Sequence, residues 1–447
     1  AYTLQLSDGH FQLDALGWLA VALVAAAAAV VAPTRPGWRI PERGLLALLG
    51  GALLVQFGLF AQKAPGIYLL LDWPGDYRPY FAGLACAALL TLAGLADVPP
   101  LRRVWFPLVL LLYLLLGAWV IAHAPEPAID VFIFQQQGSA ALLDGRNPYA
   151  ITFPNIYGDD PVYGPGLVNG DRLAFGFPYP PLSLFLALPG YLIAGDHRYA
   201  QLLALGVAGA LLALARPGRL GALAAVLLLF SPRIFFVLEQ GWTEPFAILL
   251  LAATVCCACR WPRALPVALG LLLAVKQTLV FVPLLVPLLR GGLAHWRESW
   301  PLLWRAAAVA LVVSLPLALG APRDFVWSVV TLQIYQPLRE DALSYVAWLA
   351  RSGMPAPTWL AFAMVLLAAA LALWRAARTP AGFAAGVALA FLAFFAFNKQ
   401  AFCNYYFFVL GALCCALAAA PPEPSAAPAV GRPRPPATKH FRAARRR

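Results

Sequence analysis

The segment IDVFIFQQQGSAALLDGRNPY, residues 129–149, is a polar excursion in a chain that is otherwise strongly apolar, and the motif FPYPPL at 177–182 closes its loop. The segment places a carboxylate, Asp130, directly outside an apolar run. The pattern over 129–143 predicts an amphipathic helix lying in the membrane interface, ended by the turn signal Asp-Gly at 144–145. Because ionisable groups at a membrane edge are functional candidates by default, we expect this segment to form one wall of a functional site.

The composition of the chain is that of a membrane protein. Hydrophobic residues make up 62% of the 447 positions, charged residues only 12%, and the mean hydropathy is +0.75. Soluble domains are about half apolar and about a quarter charged, so an all-α protein with many membrane spans is predicted. Half of the net charge of +12 lies in segment 421–447, which holds seven Lys and Arg residues and one Glu. This proline-rich segment predicts a disordered cytoplasmic tail near anionic lipid, not a nucleic-acid partner.

All seven cysteines lie in or at the edge of apolar runs, where cysteine behaves as a small hydrophobic residue. Cys256, Cys257 and Cys259 are close enough in sequence to suggest a metal site, but no His or carboxylate lies beside them. We therefore expect neither a bound metal there nor a structural disulfide.

The apolar runs predict eleven membrane crossings, because a bilayer core of about 30 Å needs about 20 apolar residues. Two further apolar runs do not form simple crossings. The run 183–195 is too short to cross, and Lys276-Gln277-Thr278 splits 264–289 into two halves. The predicted crossings are 13–32, 44–61, 79–96, 105–122, 199–215, 220–237, 245–259, 303–320, 358–374, 382–397 and 403–420.

Charge asymmetry orients these spans, since cytoplasmic loops carry an excess of Lys and Arg. Seven basic segments, the tail included, all become cytoplasmic if 183–195 lies flat on the outer surface. The arms 264–275 and 278–289 must then form a half-membrane hairpin with Lys276 toward the outer side. This topology places the N-terminus outside and the C-terminus inside.

On this topology the outer face collects nearly every unusual polar residue. Two long outer loops, 123–182 and 321–357, contain patterns for interfacial helices, and the second carries Arg339. The sequence shows neither the inverted repeat of many transporters nor a phosphate-binding motif for nucleotides. Three regions are predicted: N-terminal transmembrane helices 1–104, a catalytic transmembrane module 105–420, and the tail 421–447.

A site on the outer side suggests a lipid-linked substrate, because no nucleotide is available there. Transfer of a sugar from a polyprenyl phosphate needs a base for the acceptor hydroxyl and cations for the departing phosphate. Asp130 can be the base. Three side chains can hold the phosphate: Lys276, Lys399 and Arg339. A monophosphate held by basic side chains does not require a divalent ion, so we expect no cofactor besides the lipid-linked sugar.

Each of these assignments has a structural alternative. Asp130 can cap the helix that it precedes, since Asp is favoured at that position. Lys276 is costly between apolar segments unless it is paired or solvated, and Glu239 or Glu244 could pair with it structurally. Other polar residues could contact the sugar or the acceptor, or could satisfy helix ends or join the aromatic belt of the membrane. They are Tyr179, Glu239, Gln240, Glu244, Asn398, Asn404 and Tyr405.

At these residues the chain resembles glycosyltransferases of the GT-C class, which use lipid-phosphate sugars. The stretch from Asp130 to Tyr149, with FPYPPL, is similar to bacterial glycosyltransferase family 87, the polyprenyl-phosphate mannosyltransferases, and to the eukaryotic glycosylphosphatidylinositol mannosyltransferase I. FNK at 397–399 and CNYYF at 403–407 resemble the F-N-K-V-C-x-x-Q-Y-F segment of the eukaryotic enzyme. LAVK at 273–276 resembles the lysine-containing hairpin of the family.

The resemblance covers roughly residues 105–420 and implies a GT-C fold and an inverting transfer, with mannose as the first candidate sugar. It implies that Asp130 is the base, that Lys276 and Lys399 lie near the lipid phosphate, and that FPYPPL lies beside the acceptor entrance. The chain departs from the eukaryotic pattern by having one carboxylate where that enzyme has Asp-x-Asp. It also has Glu239-Gln240-Gly241 where family 87 members often have Gly-Gln.

We therefore predict an integral-membrane glycosyltransferase of the bacterial inner membrane, with its active site on the periplasmic side. A lipid-linked sugar is the donor and a lipid or glycan is the acceptor. The alternative from another class is a flippase or transporter for a lipid-linked saccharide. A third possibility is a non-catalytic partner in envelope synthesis, in which Asp130 and Lys276 would tolerate mutation.

Overall fold

The computed structural model describes residues 1–32, 41–158, 160 and 162–421, and it is 70% helical. Most of the predicted tail and part of the first basic loop lie outside the described residues. In chain order the α-helices are α1 (Tyr2–Ser7), α2 (Leu13–Val31), α3 (Glu42–Phe60), α4 (Arg78–Leu95), α5 (Trp105–His123), α6 (Asp130–Leu143), α7 (Pro181–Ala194), α8 (Arg198–Ala215), α9 (Arg219–Leu229), α10 (Ile234–Glu239), α11 (Glu244–Arg260), α12 (Leu265–Val275), α13 (Trp296–Gly320), α14 (Pro322–Val326), α15 (Leu332–Tyr335), α16 (Tyr345–Arg351), α17 (Leu360–Arg375), α18 (Pro380–Ala396) and α19 (Cys403–Ala418).

In the part of the chain that the structure describes, six helical segments are long and apolar enough to cross a membrane, judged by length and composition, so the chain is a helical membrane protein. They are Leu13–Val31, Glu42–Phe60, Gly75–Leu95, Trp105–His123, Arg198–Ala215 and Leu293–Gly320. The other apolar helices, such as α18 and α19, are shorter. Eleven crossings therefore stay a prediction.

One predicted crossing, 220–237, is wrong as a continuous span. Helix α9 ends at Leu229, and α10 begins only at Ile234. Pro232 lies in the gap, and a proline cannot donate the backbone hydrogen bond that a continuing helix requires. Arg233 follows with φ +69°, a left-handed conformation that turns the chain.

Helix α18 forms the centre of the molecule. Nearly every residue from Phe383 to Ala396 is buried, as expected for a helix that is apolar on all faces. It packs against α17, α19, α2 and the arm that follows α12. Since α2 belongs to the N-terminal region and α18 to the predicted catalytic module, the two regions share one hydrophobic core.

The predicted break at Lys276 is confirmed. Helix α12 ends at Val275, Lys276 adopts an extended backbone conformation, and Gln277–Leu289 continues as a tighter 3₁₀ helix. Two prolines inside this arm, Pro283 and Pro287, remove backbone donors that an α-helix would need. The lysine therefore lies at the junction between two helical arms.

The two long polar loops are built from short elements. The first contains α6, which matches the predicted helix 129–143, then a two-stranded hairpin of β1 (Val168–Asn169) and β2 (Arg172–Leu173), and then α7. The second contains α14, a π-helical turn at Trp327–Thr331, α15 and α16. Buried aromatic residues, among them Phe153 and Phe177, join the two loops in a small hydrophobic cluster.

Candidate functional site

The two loops line much of a cavity of about 320 Å³ near the end of α12 and the start of α19. Its wall contains seven of the eleven side chains that the sequence indicated. They are Asp130, Tyr179, Gln240, Lys276, Arg339, Asn404 and Tyr405. The structure thus brings residues from five separate parts of the chain to one place.

Asp130 is the first residue of α6, and its carboxylate is held at both oxygens. Its Oδ1 accepts the backbone N–H of Val131 at 2.7 Å, and its Oδ2 accepts the hydroxyl of Tyr163 at 2.6 Å. The helix is capped by Ile129, so Asp130 is not the capping residue, although a carboxylate in the first turn still favours the helix. Burial raises the pKa of Asp130, and the hydrogen bonds and the charge of Arg339 oppose this rise.

Lys276 lies between two aromatic rings at the cavity wall. Its Nζ is 5.7 Å from the ring centroid of Tyr179 and 5.2 Å from that of Tyr405. The ammonium group donates to the buried carboxylate of Glu244 and to Thr243 Oγ1 at 3.2 Å. Of the two predicted partners, Glu244 is therefore the one that pairs with Lys276.

The Lys276–Glu244 pair is desolvated and is supported by Asn404. Lys276 is 7% exposed and Glu244 only 1%. The Asn404 amide donates to Glu244 Oε1 at 2.8 Å, whereas Glu244 Oε2 has no hydrogen-bond partner among the described residues. An ion pair at such depth is costly to break because one buried charge would remain.

Arg339 reaches the cavity from the second loop. Its Nε and Nη2 donate to the two carboxylate oxygens of Asp341 at 2.8 and 2.7 Å, and its guanidinium lies 5.2 Å from the ring centroid of Phe402. Although burial raises the pKa of Asp341, hydrogen bonds and charges from His10 and Arg339 hold it well below the ordinary value. His10 lies 3.6 Å from Asp341 and also lines the cavity.

Within the described chain, four of the indicated residues do not reach the wall: Glu239, Glu244, Asn398 and Lys399. Lys399 Nζ donates to the backbone carbonyls of Ile334 and Gln336, at 3.1 and 2.6 Å, so it ties the second loop to the start of α19. Asn398 Oδ1 accepts the N–H of Lys399 at 2.8 Å and shapes the same turn.

Glu239 anchors the loop between α3 and α4 instead of lining the cavity. Its two oxygens accept the backbone N–H groups of Ile67 and Tyr68 at 2.8 and 2.7 Å. Gly66 makes this approach possible, since a Cβ there would lie 2.2 Å from Glu239 Oε1. The anchored Tyr68 lines the cavity, and its hydroxyl donates to the carbonyl of Ala128 at 2.9 Å, close to Asp130.

The wall also contains side chains that the sequence did not single out. Asp8 and His10 come from the segment before the first span, and Tyr157 and Tyr163 from the loop after α6. A further group consists of the carboxamides Gln277, Gln333, Gln336 and Gln400. Local sequence offered no signal for them, because glutamines and tyrosines near a membrane interface are common.

The chemistry of this wall suits a polyhydroxyl ligand. Carboxamides both donate and accept hydrogen bonds, as hydroxyl groups do, and aromatic rings can cover the apolar C–H faces of a sugar ring. Lys276 and Arg339 each face an acidic partner, and the Asp130 carboxylate accepts a hydrogen bond from Tyr163. The cavity therefore combines an acidic group, two cations and a polar aromatic lining.

Comparisons with protein-family models, with curated proteins and with solved structures find no match for this chain.

Proposed function

We propose that this protein is a membrane glycosyltransferase that moves a sugar from a polyprenyl phosphate to an acceptor hydroxyl at the outer face of the bacterial inner membrane. The observation that supports this most is the arrangement of Asp130, Lys276 and Arg339 around one cavity. A base and phosphate-binding cations must face the same substrate, and these three side chains line one cavity although they are far apart in the sequence. Mannose is the first candidate for the transferred sugar.

In the proposed reaction Asp130 accepts the proton of the acceptor hydroxyl. The hydroxyl oxygen attacks the anomeric carbon, a new glycosidic C–O bond forms, and the bond from that carbon to the phosphate oxygen breaks. The polyprenyl phosphate leaves with the electron pair, and the configuration at the anomeric carbon inverts. A raised pKa suits this role, because a stronger base takes a hydroxyl proton more readily.

The cations keep hydrogen-bonding capacity for the departing phosphate although both are paired. An ammonium group has three donors, and Lys276 uses two of them on Thr243 and Glu244. A guanidinium has five N–H donors, and Arg339 directs Nε and Nη2 to Asp341. The remaining donors can stabilise the negative charge that develops on the leaving oxygen. Lys399 is left out of this role because its side chain binds the carbonyls of Ile334 and Gln336 and is not among the residues that line the cavity.

The test is transfer activity of the purified protein in lipid nanodiscs, with radiolabelled polyprenyl-phosphate mannose and an extract of membrane lipids and glycans as acceptors. Wild-type protein is expected to form a labelled glycoside. Asp130→Asn should lower the rate by about 10²- to 10⁴-fold, the usual contribution of a general base. Asp144→Asn is the matched control, because Asp144 lies in the same loop, is exposed and pairs only with the exposed Arg146 in the described chain.

Two outcomes would contradict the proposal. Wild-type turnover by Asp130→Asn would remove the base from the mechanism. A wild-type protein that moves the labelled lipid between the two leaflets but forms no new glycoside with any lipid-linked sugar would be a transporter.

A further inference from the structure

The loop that follows α6 folds back over Asp130 and presents two tyrosines to it. Tyr163 donates its hydroxyl to Asp130 Oδ2 at 2.6 Å, and the hydroxyl oxygen of Tyr157 accepts the backbone N–H of Asp130 at 3.3 Å. The carboxylate is thus bound by a side chain from 33 residues further along the chain.

The base of this loop is closed by backbone pairing. The N–H of Asn155 donates to the carbonyl of Asp171 at 2.8 Å, next to the bridge between Pro154 and Arg172. Inside the loop, Asn155 Oδ1 accepts the N–H of Tyr157 at 3.2 Å, which is an Asx turn. These contacts fix the backbone that presents Tyr157.

The ring of Tyr163 is also confined. Its centroid lies 5.7 Å from that of Phe175 and 6.0 Å from that of Tyr157. The next residue, Gly164, packs so closely on the second loop that a Cβ there would lie 2.8 Å from the carbonyl oxygen of Tyr335. The hydroxyl of Tyr163 therefore has little freedom to leave the carboxylate.

We propose that Tyr163 is a positioning residue whose hydrogen bond favours the charged form of Asp130 and holds its carboxylate in one orientation toward the cavity. A carboxylate offers about four acceptor sites, so the hydrogen bonds from Tyr163 and Val131 leave capacity for an acceptor hydroxyl. A hydrogen bond to the charged form favours that form and so opposes the effect of burial. The catalytic part of this inference rests on the proposed function, whereas its electrostatic part does not.

The other charged or titratable groups around Asp130 do not change their charge in the range in which a carboxyl titrates, although Arg339 and Tyr157 also favour its charged form. Those within electrostatic reach are Tyr68, Tyr157, Tyr179, Tyr405 and Arg339. Tyrosines are neutral and arginine is charged throughout the range in which a carboxyl titrates. His10 of the same wall faces Asp341 instead.

The first experiment compares the pH dependence of transfer by wild-type protein, Tyr163→Phe and the control Tyr335→Phe. Tyr335 is exposed and carries its hydroxyl outside the cavity wall. Loss of the Tyr163 hydroxyl should shift the acid limb of the profile upward by about one pH unit, with a roughly tenfold loss of rate below the limb and little loss above it. A limb that stays in place, or an equal loss of rate at every pH, would overturn the inference.

The second experiment needs no transfer activity. The carboxyl stretch of Asp130, assigned by subtraction of an Asp130→Asn spectrum, is titrated by infrared spectroscopy. Its midpoint should rise in Tyr163→Phe and fall when 3-fluorotyrosine, a stronger donor of the same shape, replaces Tyr163. Unchanged midpoints would refute the role of Tyr163 even in an active transferase. Shifted midpoints in a protein that transfers no sugar would refute the proposed function alone.

Discussion

The buried pair of Lys276 and Glu244 allows a quantitative prediction about both stability and function. Lys276→Met leaves Glu244 as an almost fully buried carboxylate with one hydrogen bond from Asn404. Removing one partner of a buried ion pair costs about 3–5 kcal/mol. For a chain of this size we expect a decrease of roughly 5 °C in the apparent melting temperature.

A second substitution should restore most of this loss. In Lys276→Met/Glu244→Gln the buried charge is absent, while the Gln oxygen can still accept from Asn404, so the double variant should melt well above Lys276→Met. The matched control is the exposed pair of Arg146 and Asp144, where both side chains are about 60% exposed and Asp144→Asn should change the melting temperature by about 1 °C or less. The assay is thermal unfolding in detergent, followed by intrinsic fluorescence.

The same double variant separates the two roles of the lysine. If Lys276 holds the leaving phosphate, the double variant folds but loses transfer activity. A double variant as unstable as Lys276→Met would show that the pair is not coupled as the structure has it. A stable double variant with wild-type transfer would show that Lys276 is purely structural.

Two further predictions concern contacts at the edge of the cavity. Gly66→Ala should destabilise the protein and lower the transfer rate, because a Cβ would lie 2.2 Å from Glu239 Oε1 and would push Tyr68 away. Melting and transfer assays check this prediction. An unchanged melting temperature together with an unchanged transfer rate would contradict the contact. The pKa of Asp341 in the folded protein is held below its ordinary value of 3.8, so the ionised carboxylate stabilises the folded state above pH 3.8. This stabilisation is lost as the pH falls toward the lowered pKa of the folded state. Melting temperatures measured from pH 6 down to about pH 3 should therefore fall less in Asp341→Asn than in wild-type protein; parallel curves would contradict the ion pair with Arg339.

Several features of the fold and of the candidate site could be predicted from the local sequence. Lys276 interrupts an apolar run, and a lysine in lipid needs a partner or a polar surface. The break in the helix at Lys276 and the proximity of this residue to a cavity therefore followed from the sequence. The helix over 129–143 was predicted for a similar reason, since its apolar pattern is bounded by turn residues. The segment 220–237 was predicted as one continuous span, but the helix is broken around Pro232. An average hydropathy does not detect the effect of a single proline on a helix.

The functions of individual polar side chains were harder to predict. Lys399 and Glu239 were expected at the substrate, but each instead binds backbone groups from a distant segment, at residues 334–336 and 67–68. Tyr163 was overlooked because nothing in its neighbourhood in the sequence points to Asp130. Such pairings depend on which segments pack together, and hydropathy carries no information about that.

By itself the sequence determined the class of the protein, the break at Lys276 and the helix that begins at Asp130, because these depend on the transfer of neighbouring residues between water and lipid. Only the tertiary structure decided which polar side chains face the cavity, that Glu244 is the partner of Lys276, and that Tyr163 holds Asp130. Hydropathy adds up along a chain, whereas a hydrogen bond or an ion pair requires two groups within about 3 Å of each other, and only folding brings distant segments to that separation.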